Sequence, residues 1–178
     1  MINRIGVFCS ASDTIDKTYF EQARKFGEWI GNHKKTLIYG GTNLGLMEET
    51  ARAAKAKGAH IIGVIPNKIE ENGWQSQYMD QAIHTKTLSD RKDVMMEESD
   101  ILVALPGGIG TFDEIFHVMA GATIAYHQKK IIFFNLNGFY TKLLEVMDDL
   151  YKGNFIRGSL SDYYYVADNL DKLTELLS

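Results

Sequence analysis

Cysteine occurs once in the 178 residues, as Cys9, and proline only twice. A lone cysteine excludes an internal disulfide. So few prolines, with no repetitive tract, argue against linkers between separate units. No apolar run approaches the ~18 residues that a membrane helix needs, and the opening MINRIGVFCSAS has too short an apolar segment for a secretion signal. Basic residues are in deficit too: 19 Lys and Arg stand against 23 Asp and Glu, a formal net charge of -4. Such a chain has no broad attraction for nucleic acid or anionic lipid, so any anion it binds is held locally. The expected protein is cytoplasmic, with neither nucleic acid nor membrane as partner.

What is present is the composition of an ordinary globular protein, 45% hydrophobic and 24% charged, and the length suits one domain over 1–178. Short apolar runs recur: IGVFC (5–9), TLIYG (36–40), HIIGVI (60–65), ILVAL (101–105), KIIFF (130–134) and YYYVA (163–167). Helical patterns lie between them, with Tyr19, Phe20, Ala23, Phe26, Gly27 and Ile30 on one stripe. A second helix closes at Gly58, and others are expected near 89–98, 112–126, 138–151 and 169–177. Strands apolar on both faces alternating with helices predict an α/β fold, a single-domain, doubly wound parallel sheet of Rossmann-like type. Ligands then sit at the carboxyl ends of the strands. The aperiodic stretch 67–90 is expected to cross that same end and cover a pocket.

Two strand ends carry glycine clusters, YGGTNLG (39–45) and PGGIGT (106–111), each followed by helical pattern. Glycines let a ligand approach main-chain N–H groups, and a helix N-terminus adds unpaired donors, so each cluster is a tight turn or an anion site. Two at one sheet edge favour the anion site. A dinucleotide G-x-G-x-x-G starting at Gly108 meets Asp113 in place of its third glycine, and a P-loop from Gly40 to Gly45 runs into Leu46 and Met47. A single phosphate, as in a nucleoside monophosphate, fits better.

Glu114 stands three residues after Thr111, which is also capping-box spacing. Its other reading is a carboxylate beside a phosphate loop, able to stabilise the positive charge that develops on ribose when an N-glycosidic bond breaks. Arg91 and Lys92, in LSDRKDVM, open a helix where cations oppose the dipole. They belong either to a solvated face, offset by Asp90 and Asp93, or to a contact with phosphate, ribose or base. Five histidines form no metal-ligand pattern; Asp113 and His117 are too few for a site, so no metal is expected. Cys9 reads as a buried thiol, and Ser10 and Ser12 either cap a turn or touch a ligand. Nothing singles out a Schiff-base lysine, and no cofactor is expected.

Taken together, YGG…GLM, GVIP, the RK at 91–92 and PGGIGTFDE resemble the LOG (Lonely Guy) family, often mislabelled as lysine decarboxylases. The resemblance runs over most of the chain. It implies a Rossmann-type homodimer that hydrolyses cytokinin riboside 5′-monophosphates, and often AMP, to free base and ribose 5-phosphate. It further implies Arg91 and Glu114 as the catalytic pair. Gly107, Gly108, Gly110 and Thr111 would hold the phosphate, with Lys92, Ile109 and Gly41 in the same phosphate- and substrate-binding set. The chain departs from the family pattern at Thr42 and Glu48, where glycines are usual, and at His117 and Gly121, which replace a carboxylate and a tryptophan. The homodimer is also suggested by the apolar bulk of FHVMAGATIAYH (116–127). The competing expectation is a non-hydrolytic nucleotide-binding protein of the same fold, as in the related molybdenum-cofactor carriers.

Overall fold

A computed structural model describes residues 2–178. Seven strands, β1 (Arg4–Phe8), β2 (Thr36–Tyr39), β3 (His60–Pro66), β4 (Gln81–Thr85), β5 (Ile101–Ala104), β6 (Ile131–Phe134) and β7 (Tyr164–Ala167), form one sheet in the order β4-β3-β2-β1-β5-β6-β7. All six neighbouring pairs are parallel. The chain builds outward from β1 to β4, then returns to place β5 against β1, with Ile5 beside Ile101 and Phe8 beside Ala104. The strand order thus reverses between β1 and β5.

Helices α1 (Lys17–Asn32), α2 (Gly45–Ala56) and α7 (Leu170–Leu177) cover one face. Helices α4 (Leu88–Glu98), α5 (Ile109–Thr123) and α6 (Thr141–Lys152) cover the other. Every residue of β5 and β6 is buried, the price of being covered twice. Each fully buried Leu, Ile, Val or Phe contributes about 1.5–3 kcal/mol. The predicted stripe on α1 buries Ala23, Phe26, Gly27 and Ile30 against α2 and the sheet.

The expected architecture holds, with two local differences. The stretch 67–90 contains a short helix, α3 (Asn67–Glu71), and the edge strand β4. Between them, residues 74–76 do lie at the carboxyl end of the sheet. Asn43 N–H donates to the Trp74 carbonyl at 2.8 Å, and Ser76 N–H donates to that of Gly41 at 2.9 Å. The second difference is that α5 begins at Ile109, inside the glycine cluster, and not near 112.

One side chain ties the core to the end of β5. The buried Tyr140 hydroxyl donates to the Leu105 carbonyl at 2.6 Å, while its ring meets Phe133 edge-on at 5.0 Å. Tyr140→Phe leaves that carbonyl buried without its donor, and stability should fall by about 1–3 kcal/mol. Urea unfolding of the two proteins, compared at equal m-value, measures it.

Candidate active site

The chain folds α4 and α5 so that two opposite charges meet at the carboxyl edge of the sheet. The start of α4 is fixed by a capping box: the Asp90 N–H donates to Thr87 Oγ1, and the Thr87 N–H to the Asp90 carboxylate, both at 3.1 Å. Asp90 is thereby committed to the cap and does not offset Arg91. Arg91, the next residue, turns inward and is buried. Its guanidinium lies over Gly40, where any Cβ would collide with Arg91 Nη2 and crowd Met47 Sδ. The bare α-carbon of the first glycine after β2 is the seat of the arginine.

Opposite, Glu114 is buried in the interior of α5. The cap of α5 is Gly108, so Thr111 and Glu114 do not form a capping box. Glu114 Oε1 stands 3.8 Å from Arg91 Nη2. Burial pushes the Glu114 carboxyl up to about 7; Arg91 pulls down against it, Asp113 adds to the rise and Lys92 opposes it. Desolvation outweighs the attraction of the guanidinium. Arg91 Nε is buried with no hydrogen-bond partner among the described residues, so the protein's own groups do not saturate the guanidinium.

The two glycine clusters play different parts. At the second, Gly108 carries no side-chain cap, which leaves the first-turn amides of Ile109, Gly110 and Thr111 as donors at the positive end of a helix. The Ile109 side chain is 92% exposed and only its backbone faces this role, whereas Thr111 is buried. Thr111 folds back over Gly107, where a Cβ would strike its Oγ1. At the first cluster the first two amides of α2 are already used. Gly45 N–H donates to Asp13 Oδ1 at 2.8 Å and Leu46 N–H to the Ser10 carbonyl at 2.9 Å. One of the two expected anion sites is therefore taken by the protein's own loop.

A cleft of about 370 Å³ joins these groups. Arg91, Glu114, Gly108, Gly110 and Thr111 line it with Cys9, Ser10, Ala11, Ser12 and Met47. Gly41 is not in this lining; its carbonyl serves the Ser76 bond instead. Lys92 is not in it either, and pairs with Asp113 at 2.8 Å. His117 pairs with Asp93, also at 2.8 Å, so Asp113 and His117 turn to separate partners. Burial, with Glu114 nearby, pushes the Cys9 thiol far up, and it forms an inert part of the floor. Met47 and the Ala11 backbone escaped sequence reasoning because neither residue type announces a ligand; only GLM following the first glycine cluster marked the place. Of the departures, Thr42 is buried with its hydroxyl unpartnered among the described residues, and burial raises the Glu48 carboxyl. At Gly121 the missing side chain leaves room for the His127 ring.

Residues 47–177 match a family model described as possible lysine decarboxylase. Among curated proteins, a probable cytokinin riboside 5′-monophosphate phosphoribohydrolase of Oryza sativa subsp. japonica is 33% identical over 98% of this chain and 77% of its own length. A cytokinin riboside 5′-monophosphate phosphoribohydrolase of Arabidopsis thaliana is 30% identical over 98% of this chain and 76% of its own. Two solved structures share the fold. The molybdenum cofactor binding protein from the phototrophic bacterium Rippkaea orientalis superposes with TM-score 0.74 at 24% identity, over 99% of this chain and 96% of that one. The Moco carrier protein from Chlamydomonas reinhardtii does so with TM-score 0.76 at 23%, over the same shares.

Two measurements follow from the buried pair. A carboxyl whose folded pKa lies above its unfolded value holds its proton more tightly when folded, so its contribution to stability falls as pH rises from about 4.5 to about 7. Melting temperatures of wild type relative to Glu114→Gln should decline across that window and be level on either side. Gly40→Ala displaces the guanidinium that restrains Glu114, and the carboxyl pKa should move further up, as read by carboxyl-labelled NMR titration.

Proposed function

The chain belongs to the LOG family, whose model carries the description possible lysine decarboxylase, and from that premise we propose that it is a phosphoribohydrolase of nucleoside 5′-monophosphates, with cytokinin riboside monophosphates and AMP as substrates. The observation that carries the reading is the buried Arg91–Glu114 pair beside an uncapped helix N-terminus in one cleft. The amides of Ile109, Gly110 and Thr111, with Gly107 and Gly108, take the 5′-phosphate. Ser10 and Ser12 add hydroxyls from the facing loop. Arg91 contacts the ribose or the departing base. Lys92 and Gly41 act from outside the cleft, on the α4–α5 seam and within the loop after β2.

In the reaction the bond between C1′ and the base nitrogen breaks, its electron pair leaves with the base, and water supplies the new C1′ oxygen. Positive charge builds on the ribose as the bond lengthens, and ionised Glu114 stabilises it in a site of low polarity. A carboxylate titrating near neutrality also accepts the proton of the attacking water, and that proton ends on the released base. The carrier reading draws on the fold likeness to molybdenum-cofactor proteins, but identity is higher to the relatives named as hydrolases, 33% against 24%.

We further propose a homodimer. Its support is an apolar groove between α5 and α6, lined by Phe116, Met119, Met147 and Leu150 among others, with Ile124 and Phe155, chain neighbours of the lining residues Thr123 and Ile156, exposed. Such a surface is larger than isolated surface hydrophobes explain. Light scattering at micromolar protein should give twice the chain mass; a fully active monomer overturns the proposal.

For the reaction, purified protein with AMP should release adenine without added metal, and adenosine should be a much poorer substrate because phosphate binding positions the ribose. Glu114→Gln should retain AMP binding by calorimetry while kcat falls by roughly 10²-fold or more. The kcat/KM of the wild type should rise with pH and level off above about 7, where the carboxyl is ionised. Undiminished kcat in the Gln variant removes Glu114 from the mechanism.

A further inference from the structure

The cleft does not end at the glycine loop. A second hollow, of about 280 Å³, adjoins it and shares Ser10, Ser12 and Gly108 with it. These shared residues sit where the strand order reverses, at the carboxyl ends of β1 and β5. The two strand-end loops are joined there, Leu105 N–H donating to the Phe8 carbonyl at 2.9 Å and Ser10 N–H to the Pro106 carbonyl at 3.1 Å. The crevice at such a reversal is where doubly wound sheets receive ligands with a group on each side of a phosphate. Here one side holds Arg91 and Glu114. The other is walled by Ile15, Tyr19, Pro106 and Phe139 and offers no charged side chain.

Two of its wall residues are aromatic and in contact. The rings of Tyr19 and Phe139 meet edge-on at 6.0 Å, and Phe139 in turn packs edge-on against the buried Tyr140 at 4.9 Å. A second phosphate has no counter-charge there, whereas a planar apolar group has ring faces and edges to meet. We propose that this hollow is a subsite for an aromatic group esterified to the 5′-phosphate, so that the protein takes nucleoside 5′-phosphodiesters in addition to monophosphates. The inference rests on the nucleotide reading above. The phosphate lies at Gly108, the nucleoside enters the charged cleft, and the ester substituent crosses the Ser10–Ser12 rim to lie in the hollow against the joined rings of Tyr19 and Phe139. Hydrolysis at C1′ is unchanged by it, since the ester bond is not broken.

The test compares the methyl and phenyl esters of AMP, which carry the same charge, with AMP as the reference. The phenyl ester should show a KM at least about tenfold lower than the methyl ester, on the scale of burying one aromatic ring, at similar kcat. Phe139→Ala and, independently of it, Tyr19→Ala should each erase that preference and, in the folded variants, leave AMP turnover within about twofold, since neither side chain lines the charged cleft. Equal KM for the two esters in the wild type, or a preference that survives in a folded variant, overturns the subsite. Calorimetric titration with both esters separates the two levels of inference. A phenyl preference in Kd without hydrolysis of any substrate keeps the subsite and rejects the hydrolase; AMP hydrolysis without a phenyl preference does the reverse.

Discussion

Two opposite charges removed from water set the terms for everything else at the edge of this sheet. Arg91 and Glu114 come from different helices, and each offsets part of the cost of burying the other. Their separation of 3.8 Å is too long for a tight bidentate bridge. The pair is therefore compensated yet not saturated. A carboxyl poised near neutrality and an unpartnered guanidinium nitrogen are the result. The glycine under the arginine and the capping box that starts α4 serve this one arrangement.

The glycine clusters make the same point about context. Both follow buried strands and both open helices, yet only one presents its amides to the cleft. The difference lies in the loop after β1, whose Asp13 carboxylate and Ser10 carbonyl take up the first two amides of α2. That loop anchors α2 with its backbone and one acid, turns the hydroxyls of Ser10 and Ser12 back onto its own chain, and lines the cleft with the same residues. A strand-end loop thus acts as a cap on one side and as a wall on the other.

Much of this was legible in the chain itself. The doubly covered strands are near-continuous apolar runs, and their spacing carried the α/β class and the placement of the site at the sheet's carboxyl edge. The strand missed was β4, because QAIHT lies at the sheet edge with Gln81 and His84 exposed, so no apolar run marks it. The role of Gly40 was hidden, since a close approach by a side chain 51 positions away leaves no local pattern. The start of α5 was displaced because Ile109, at its first turn, is an apolar residue pointing into solvent. Arg91 and Glu114 stood out through the family resemblance, whereas the seam that aligns them is a tertiary fact.

That seam has a mechanical side. Three consecutive residues of α4 each meet α5: Arg91 faces Glu114, Lys92 pairs with Asp113, and Asp93 with His117. Prying the two helices apart would break all three pairings at once, two of them against partners largely out of bulk water. The three pairings set the register of α4 against α5 on that side of the cleft. Across the cleft, the strand-end loop after β1 is tied at long range too, its Ser10 N–H donating to the Pro106 carbonyl and its Asp13 carboxylate accepting from the Gly45 N–H, beside the hydroxyl contacts among Ser10, Ser12 and Thr14.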